Sequence, residues 1–136
     1  MADFRHVTDD FTTAPQISVA DVAEAARQGF KAIICNRPDG EDPGQPTAAE
    51  IAAAAEAAGL TYTHIPVRGA PGPAEVEAMR HAVDAAEGPV LAYCRSGTRS
   101  ITTWSIGQAM SGARTRGELV SLGRAAGYDL SGALGG

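Results

Sequence analysis

Residues 89 to 100 read Pro-Val-Leu-Ala-Tyr-Cys-Arg-Ser-Gly-Thr-Arg-Ser, an apolar run that stops at a cysteine, a short polar loop, and the start of a helical pattern. Such a segment leaves little choice of local structure. A buried strand ends at Cys94, Gly97 lets the backbone curl, and a helix begins near Arg99. The amides of the loop, Ser96, Gly97 and Thr98 among them, and of the helix start then converge on one spot. Their dipoles, with Arg95 and Arg99, favour negative charge there. A field that holds an oxyanion also stabilises a thiolate, so nucleophile and anion cradle come as one unit.

The rest of the chain alternates short apolar runs with helical patterns, which predicts an α/β fold with a mostly parallel central sheet flanked by helices. Phe4 to Val7 and Gln16-Ile17 read as short strands around a turn-rich Thr8 to Pro15. Ser18 caps a helix that Gly29 ends, and Lys31 to Cys35 is a buried strand. The segment from Asn36 to Gly44 is too rich in Pro, Gly and Asp for regular structure. Thr47 with Glu50 and Thr115 with Glu118 have the spacing of capping boxes, the first opening an alanine-rich helix to Ala58 and the second a helix through Ala126. Tyr62 to Val67 is the next strand, followed by a loop from Arg68 to Pro73 and a helix with Val76, Met79, Val83 and Ala86 at helical spacing. A single domain over residues 1–136 is expected, with fraying in the glycine-rich tail at 130–136.

In an open parallel sheet the binding crevice lies at the carboxyl ends of the strands. The loops after Cys35, after Val67 and after Tyr93 are therefore expected to converge around Cys94. The net charge of -5 excludes a general nucleic-acid binder or an anionic-membrane binder, so any anion is drawn by a local field. The absence of a long apolar run, of a signal-like N-terminus and of a disulfide or metal-ligand cysteine pattern makes the cytoplasm the expected location, with no metal or cofactor.

Pro15-Gln16-Ile17-Ser18, Asn36-Arg37-Pro38-Asp39-Gly40-Glu41, Ala58-Gly59-Leu60, His64-Ile65-Pro66-Val67 and Cys94-Arg95-Ser96-Gly97-Thr98-Arg99-Ser100 together resemble the phosphatase-like domain family of bacterial beta-lactamase-hydrolase-like proteins, relatives of tyrosine and dual-specificity phosphatases. The resemblance implies a cysteine-phosphatase fold with Cys94 as nucleophile, Arg99 as the arginine that clamps the anion, and Ser100 as the hydroxyl beside the thiolate.

Two departures pull the chemistry away from phosphate. Only Arg95, Ser96, Gly97 and Thr98 separate Cys94 from Arg99, one residue fewer than in tyrosine phosphatases, and this short loop resembles that of single-domain rhodaneses. A smaller ring of amides suits a persulfide better than a phosphoryl group with three equatorial oxygens. The loop Arg68-Gly69-Ala70-Pro71-Gly72-Pro73 also lacks the aspartate that protonates a leaving oxygen, leaving Asp39 or Glu41 as substitutes. The leading expectation is thus a sulfurtransferase that moves sulfur from thiosulfate or a persulfide through Cys94 to a thiol acceptor. Some relatives are described as sulfur transferases, often beside sulfide-oxidising enzymes as partners. The alternative is a phosphatase working on a phosphate ester through a phosphocysteine, with Asp39 as acid. A non-catalytic anion or persulfide sensor is the third.

Other residues carry a plain and a sharp reading side by side. Cys35 is core by default and a resolving thiol for Cys94 if the two strands are neighbours. Arg37 pairs most simply with Asp39 inside its loop, and Arg68 is either solvated or an extension of the positive field. His64 reads as a hydrogen-bonded structural histidine, and Trp104 and Ile106 as core behind the loop.

Overall fold

The computed structural model describes residues 2–135. Near its start Thr8 closes a tight turn with its own side chain, Oγ1 accepting from the amides of Asp10 and Phe11 at 3.2 and 3.1 Å. The turn folds β1 (Arg5–His6) antiparallel against β2 (Phe11–Ala14), with Arg5 opposite Thr13. This corrects the expected strand at Gln16-Ile17. The turn is confined to residues 8–10, and Phe11-Thr12-Thr13-Ala14, buried throughout, is the stretch that pairs. Its β-branched threonines suit a strand covered on both faces.

The remaining elements follow the expected alternation: α1 (Val19–Arg27), β3 (Ala32–Cys35), α2 (Ala48–Ala57), β4 (Thr61–His64), α3 (Pro73–Ala85), β5 (Val90–Tyr93), α4 (Thr98–Met110) and α5 (Arg116–Ala126). Ser18, Thr47 and Thr115 each accept from the amide three residues on, so the capped starts stand where the sequence puts them. β4 ends at His64, but the chain stays alongside the end of β3 as far as Val67, with the Ile65 and Val67 N–H groups donating to Cys35 O and Asn36 O at 2.8 and 3.0 Å. The five strands lie in the order β1-β2-β5-β3-β4, parallel except for β1.

The middle strand is β5, and the pleat divides its neighbours between two cores. Ile33, Cys35, Leu91 and Tyr93 face α1 and α2, packing with Val22, Ala25, Ile51 and Ala55. Ala32, Ile34, Val90 and Ala92 face the other side, against Met79, Ile101, Trp104, Leu119 and Leu130 of α3, α4, α5 and the segment beyond. Trp104 stacks on Phe11 with ring centroids 4.7 Å apart, whereas Ile106, expected in the core, is only half-buried. Leu130 is 1% exposed and Leu134 packs on the same core. Gly136 lies outside the described residues.

Candidate active site

β5 ends at Tyr93, so Cys94 is delivered to the carboxyl edge from the centre of the sheet, its amide donating to Ala14 O at 3.3 Å. The chain then turns through Arg95 and Ser96 to Gly97, which takes φ 93° and opens α4 without any capping side chain. Only glycine adopts that conformation without strain, and a Cβ here would collide with the Tyr128 hydroxyl. The Gly97 N–H points at Cys94 Sγ from 3.1 Å. Cys94 itself is 0% exposed, and Ser100, one turn into α4, buries an Oγ that has no hydrogen-bond partner among the described residues. A buried hydroxyl without a partner costs about 1–3 kcal/mol.

Arg99 reaches across to the loop after β3. Its Nη1 and Nη2 each donate to a different oxygen of Glu41 at 2.8 Å, and Nη1 also donates to Val67 O at 3.0 Å. The loops after β3, after Val67 and after β5 thus meet at one guanidinium, as the parallel sheet requires. Glu41 also accepts from Arg37 Nε at 2.9 Å. Arg99 first, and Arg37 after it, hold the Glu41 carboxyl down at about 2 against the opposing effect of burial. The pair in turn raises the Arg99 guanidinium further above its ordinary value.

Arg37 does not pair with Asp39. Its side chain is 3% exposed and donates to Glu41, to Asp42 Oδ2 at 2.6 Å and to Gln16 Oε1 at 3.0 Å, fastening the loop to the segment after β2. Asp39 instead accepts from the Ala48 N–H at 2.8 Å, which ties it to the first turn of α2 and away from the Arg99 network. His64 Nε2 meets Arg37 O at 2.9 Å, the structural part expected of it. Arg95 is exposed, its Nε 3.8 Å from Asp42, while Ser96 and Thr98 bond to each other at 2.9 Å on the open side of the loop. Arg68 is exposed and makes no ion pair among the described residues. The cluster holds three guanidiniums, of Arg37, Arg95 and Arg99, against the two carboxylates of Glu41 and Asp42, so the local field stays positive in an acidic chain.

The two cysteines are on neighbouring strands yet are not brought together. Cys35 belongs to the core under α1 and α2, donates to Arg37 O at 3.4 Å and lies beside Tyr62 and Tyr93, whose hydroxyls are 3.0 Å apart. Burial pushes its thiol up, which keeps it protonated and unreactive. Cys94 faces its own loop.

Residues with no local signal complete the site. Thr13 Oγ1 donates to Gly97 O at 2.9 Å across 84 positions, and the Tyr128 phenol donates to Ser96 O at 2.8 Å. Glu41 is legible as a carboxylate near the site but not as the partner of an arginine 58 positions away. Beside Arg99 a small apolar cleft of about 200 Å³ is lined by Ala70, Pro71, Thr102 and Ile106. A larger cleft between the β1–β2 turn and α5 is lined by neither cysteine.

Residues 3–111 match the family described as beta-lactamase hydrolase-like protein, phosphatase-like domain. The chain belongs to this family. A beta-lactamase hydrolase-like protein of Agrobacterium fabrum is 41% identical over 125 residues, which cover 91% of this chain but 29% of the relative, so the chain spans under a third of that protein's length. Among solved structures, one from Neisseria meningitidis, named provisionally as a phosphatase, is 36% identical with a TM-score of 0.86, covering 97% of this chain and 94% of the other. Tk-PTP in its active form, at 20% identity and a TM-score of 0.73 over 95% of this chain and 88% of its own, shares the fold. The beta-lactamase hydrolase-like phosphatase-like domain is thus a cysteine-phosphatase fold, and its relatives support the phosphatase expectation over sulfur transfer. No described helix of it is long and apolar enough to cross a membrane.

Proposed function

We propose that the chain is a cysteine-dependent phosphatase acting on phosphate monoesters whose leaving group departs without protonation, aryl esters first among them. The observation that carries this reading is the two-oxygen grip of Arg99 on Glu41 beside a buried Cys94 whose sulfur already accepts the Gly97 N–H. A fork that holds a carboxylate through both oxygens presents the same paired donors to two phosphoryl oxygens. Substrate exchanges with Glu41 at Arg99, and the positive cluster offsets its charge. The Cys94 thiolate attacks phosphorus, the ester P–O bond breaks, and the phosphoryl group stays on sulfur until water displaces it as inorganic phosphate. Glu41, ionised at neutral pH, has no proton to give, and Asp39 is occupied at α2. Fast turnover therefore requires a stable leaving anion such as a phenolate, and the apolar cleft next to Arg99 has room for its ring.

Sulfur transfer is the second reading, favoured by the four-residue spacing from Cys94 to Arg99 and by the missing acid. There Cys94 attacks the outer sulfur of thiosulfate, the S–S bond breaks, sulfite leaves unprotonated, and a thiol acceptor takes the sulfur from the cysteine persulfide. One preparation assayed with p-nitrophenyl phosphate and with thiosulfate separates the two. The first reading expects phosphate release lost in Cys94→Ser and reduced at least a hundredfold in Arg99→Ala, roughly the loss of one strong transition-state donor. A one-sulfur mass gain on Cys94 after thiosulfate, with no phosphate release, overturns it in favour of the second.

A further inference from the structure

Three consecutive carbonyls of the Cys94 loop each accept a hydrogen bond from a partner elsewhere in the chain. Arg95 O accepts from the Gln16 N–H at 3.2 Å, Ser96 O from the Tyr128 phenol at 2.8 Å, and Gly97 O from the Thr13 hydroxyl at 2.9 Å. In a trans peptide the carbonyl and the following N–H point in opposite directions. Pinning Ser96 O on Tyr128 therefore aims the Gly97 N–H the other way, and there it meets Cys94 Sγ at 3.1 Å. Thr13 braces the next carbonyl from the strand side, where Gly97 O also accepts the first helical bond of α4 from the Ile101 N–H at 3.1 Å, and the N–H of that peptide, on Thr98, meets Ser96 Oγ at 3.4 Å.

Resting on the reading of Cys94 as the nucleophile, we propose that Tyr128 and Thr13 are positioning residues: Tyr128 aims the Gly97 N–H at the Cys94 sulfur, and Thr13, bound to the carbonyl of the same glycine, keeps that residue in place. Neither hydroxyl is easily replaced by water, since Thr13 is fully buried and Tyr128 is 8% exposed. Burial also pushes the Tyr128 phenol up, so it remains a donor at neutral pH. A donor on the carbonyl polarises the whole peptide and strengthens its N–H as a donor at the other end, so Tyr128, the Ser96–Gly97 peptide and Cys94 form one cooperative chain. The fold aims Tyr128 deliberately. Gly127 ends α5 at φ 96°, the Tyr128 N–H returns to Gly123 O at 2.8 Å, and Arg5 sits 5.2 Å over its ring. Tyr128 lies beyond the residues that match the family, and Thr13 sits on a strand that carries no motif.

The test is the rate of Cys94 alkylation by iodoacetamide as a function of pH, with the modified peptide identified by mass spectrometry to exclude Cys35. Tyr128→Phe keeps the ring and Thr13→Val keeps the shape, and each removes one hydroxyl. At pH 7 each is expected to react about fivefold more slowly, the worth of one hydrogen bond, with its whole rate curve displaced to higher pH. Thr13→Ser, which keeps the donor, is expected to restore the wild-type curve. A merely structural brace scales the rate without moving the curve along the pH axis. An unmoved curve in both hydroxyl-deleted variants, each measured well below its melting temperature, overturns the proposal. Turnover of p-nitrophenyl phosphate by the wild type is scored separately, so failure of the phosphatase reading is distinguishable from failure of this one.

Discussion

Glu41 is the residue on which the state of the site depends. Its carboxyl titrates near 2 in the folded chain and near 4.5 when free, because Arg99 and Arg37 favour the ionised form. A depressed carboxylate contributes stability that is complete above the free value and disappears as pH falls through the folded one. Wild type and Glu41→Gln are therefore expected to differ in urea stability at pH 7, to converge between about pH 4.5 and 2, and to coincide below that. The same substitution removes the anion that competes for Arg99. Phosphate or vanadate, followed by calorimetry, is expected to bind roughly tenfold more tightly to Glu41→Gln. Weaker binding would instead make Glu41 part of the anion site. Arg37 shows why some roles escape a sequence reading. Its nearest carboxylate in sequence is Asp39, but Asp39 is taken by the Ala48 amide, and the partners of Arg37 come from Glu41, Asp42 and Gln16.

Among the elements, the turn from β5 into α4 has the least freedom. Gly97 combines a left-handed backbone with a wall made by Tyr128 Oη and Thr13 Oγ1. Gly97→Ala is expected to cost about 2–4 kcal/mol, from the strain of positive φ together with overpacking. Because Tyr128→Phe removes one of the atoms in the way, the double variant should lose about 1 kcal/mol less than the sum of the singles in a denaturation cycle. Strict additivity would mean that the cost lies in the backbone alone. Local signals served well at this scale: Thr47 with Glu50 and Thr115 with Glu118 marked helix starts because both partners are three residues apart. The strand at Phe11 was hidden for the opposite reason. The partner that pairs along its whole length, Val90 to Tyr93, lies far away in sequence, while the adjacent Thr8-Asp9-Asp10 has the composition of a turn.

For the molecule as a whole, the segment after α5 is a structural part of the site as well as of the core. Leu130 presses on Gly123, where a Cβ would stand 2.6 Å from its Cδ1, and Tyr128 reaches Ser96. Leu130→Ala is expected to cost about 2–4 kcal/mol in urea unfolding, as for a fully buried leucine, and to loosen the Cys94 loop with it. Removal of residues 127–136 should do more damage than Leu130→Ala, since it takes both anchors. A change below about 0.5 kcal/mol for Leu130→Ala would show that the segment only rests on the core.

By itself the sequence determined the unit of strand, cysteine, glycine turn and helix, together with the capped helices and the parallel sheet, because each rests on contacts within a few residues or on a simple period. It also held the four-residue spacing that leaves sulfur transfer in play. Tertiary structure alone decided that Arg99 closes on Glu41, that Cys35 packs in the core under α1 and α2, and that Thr13 and Tyr128 bond to the loop carbonyls. Those partners come from separate elements. Only the order β1-β2-β5-β3-β4 and the packing of α5 set the distances between them.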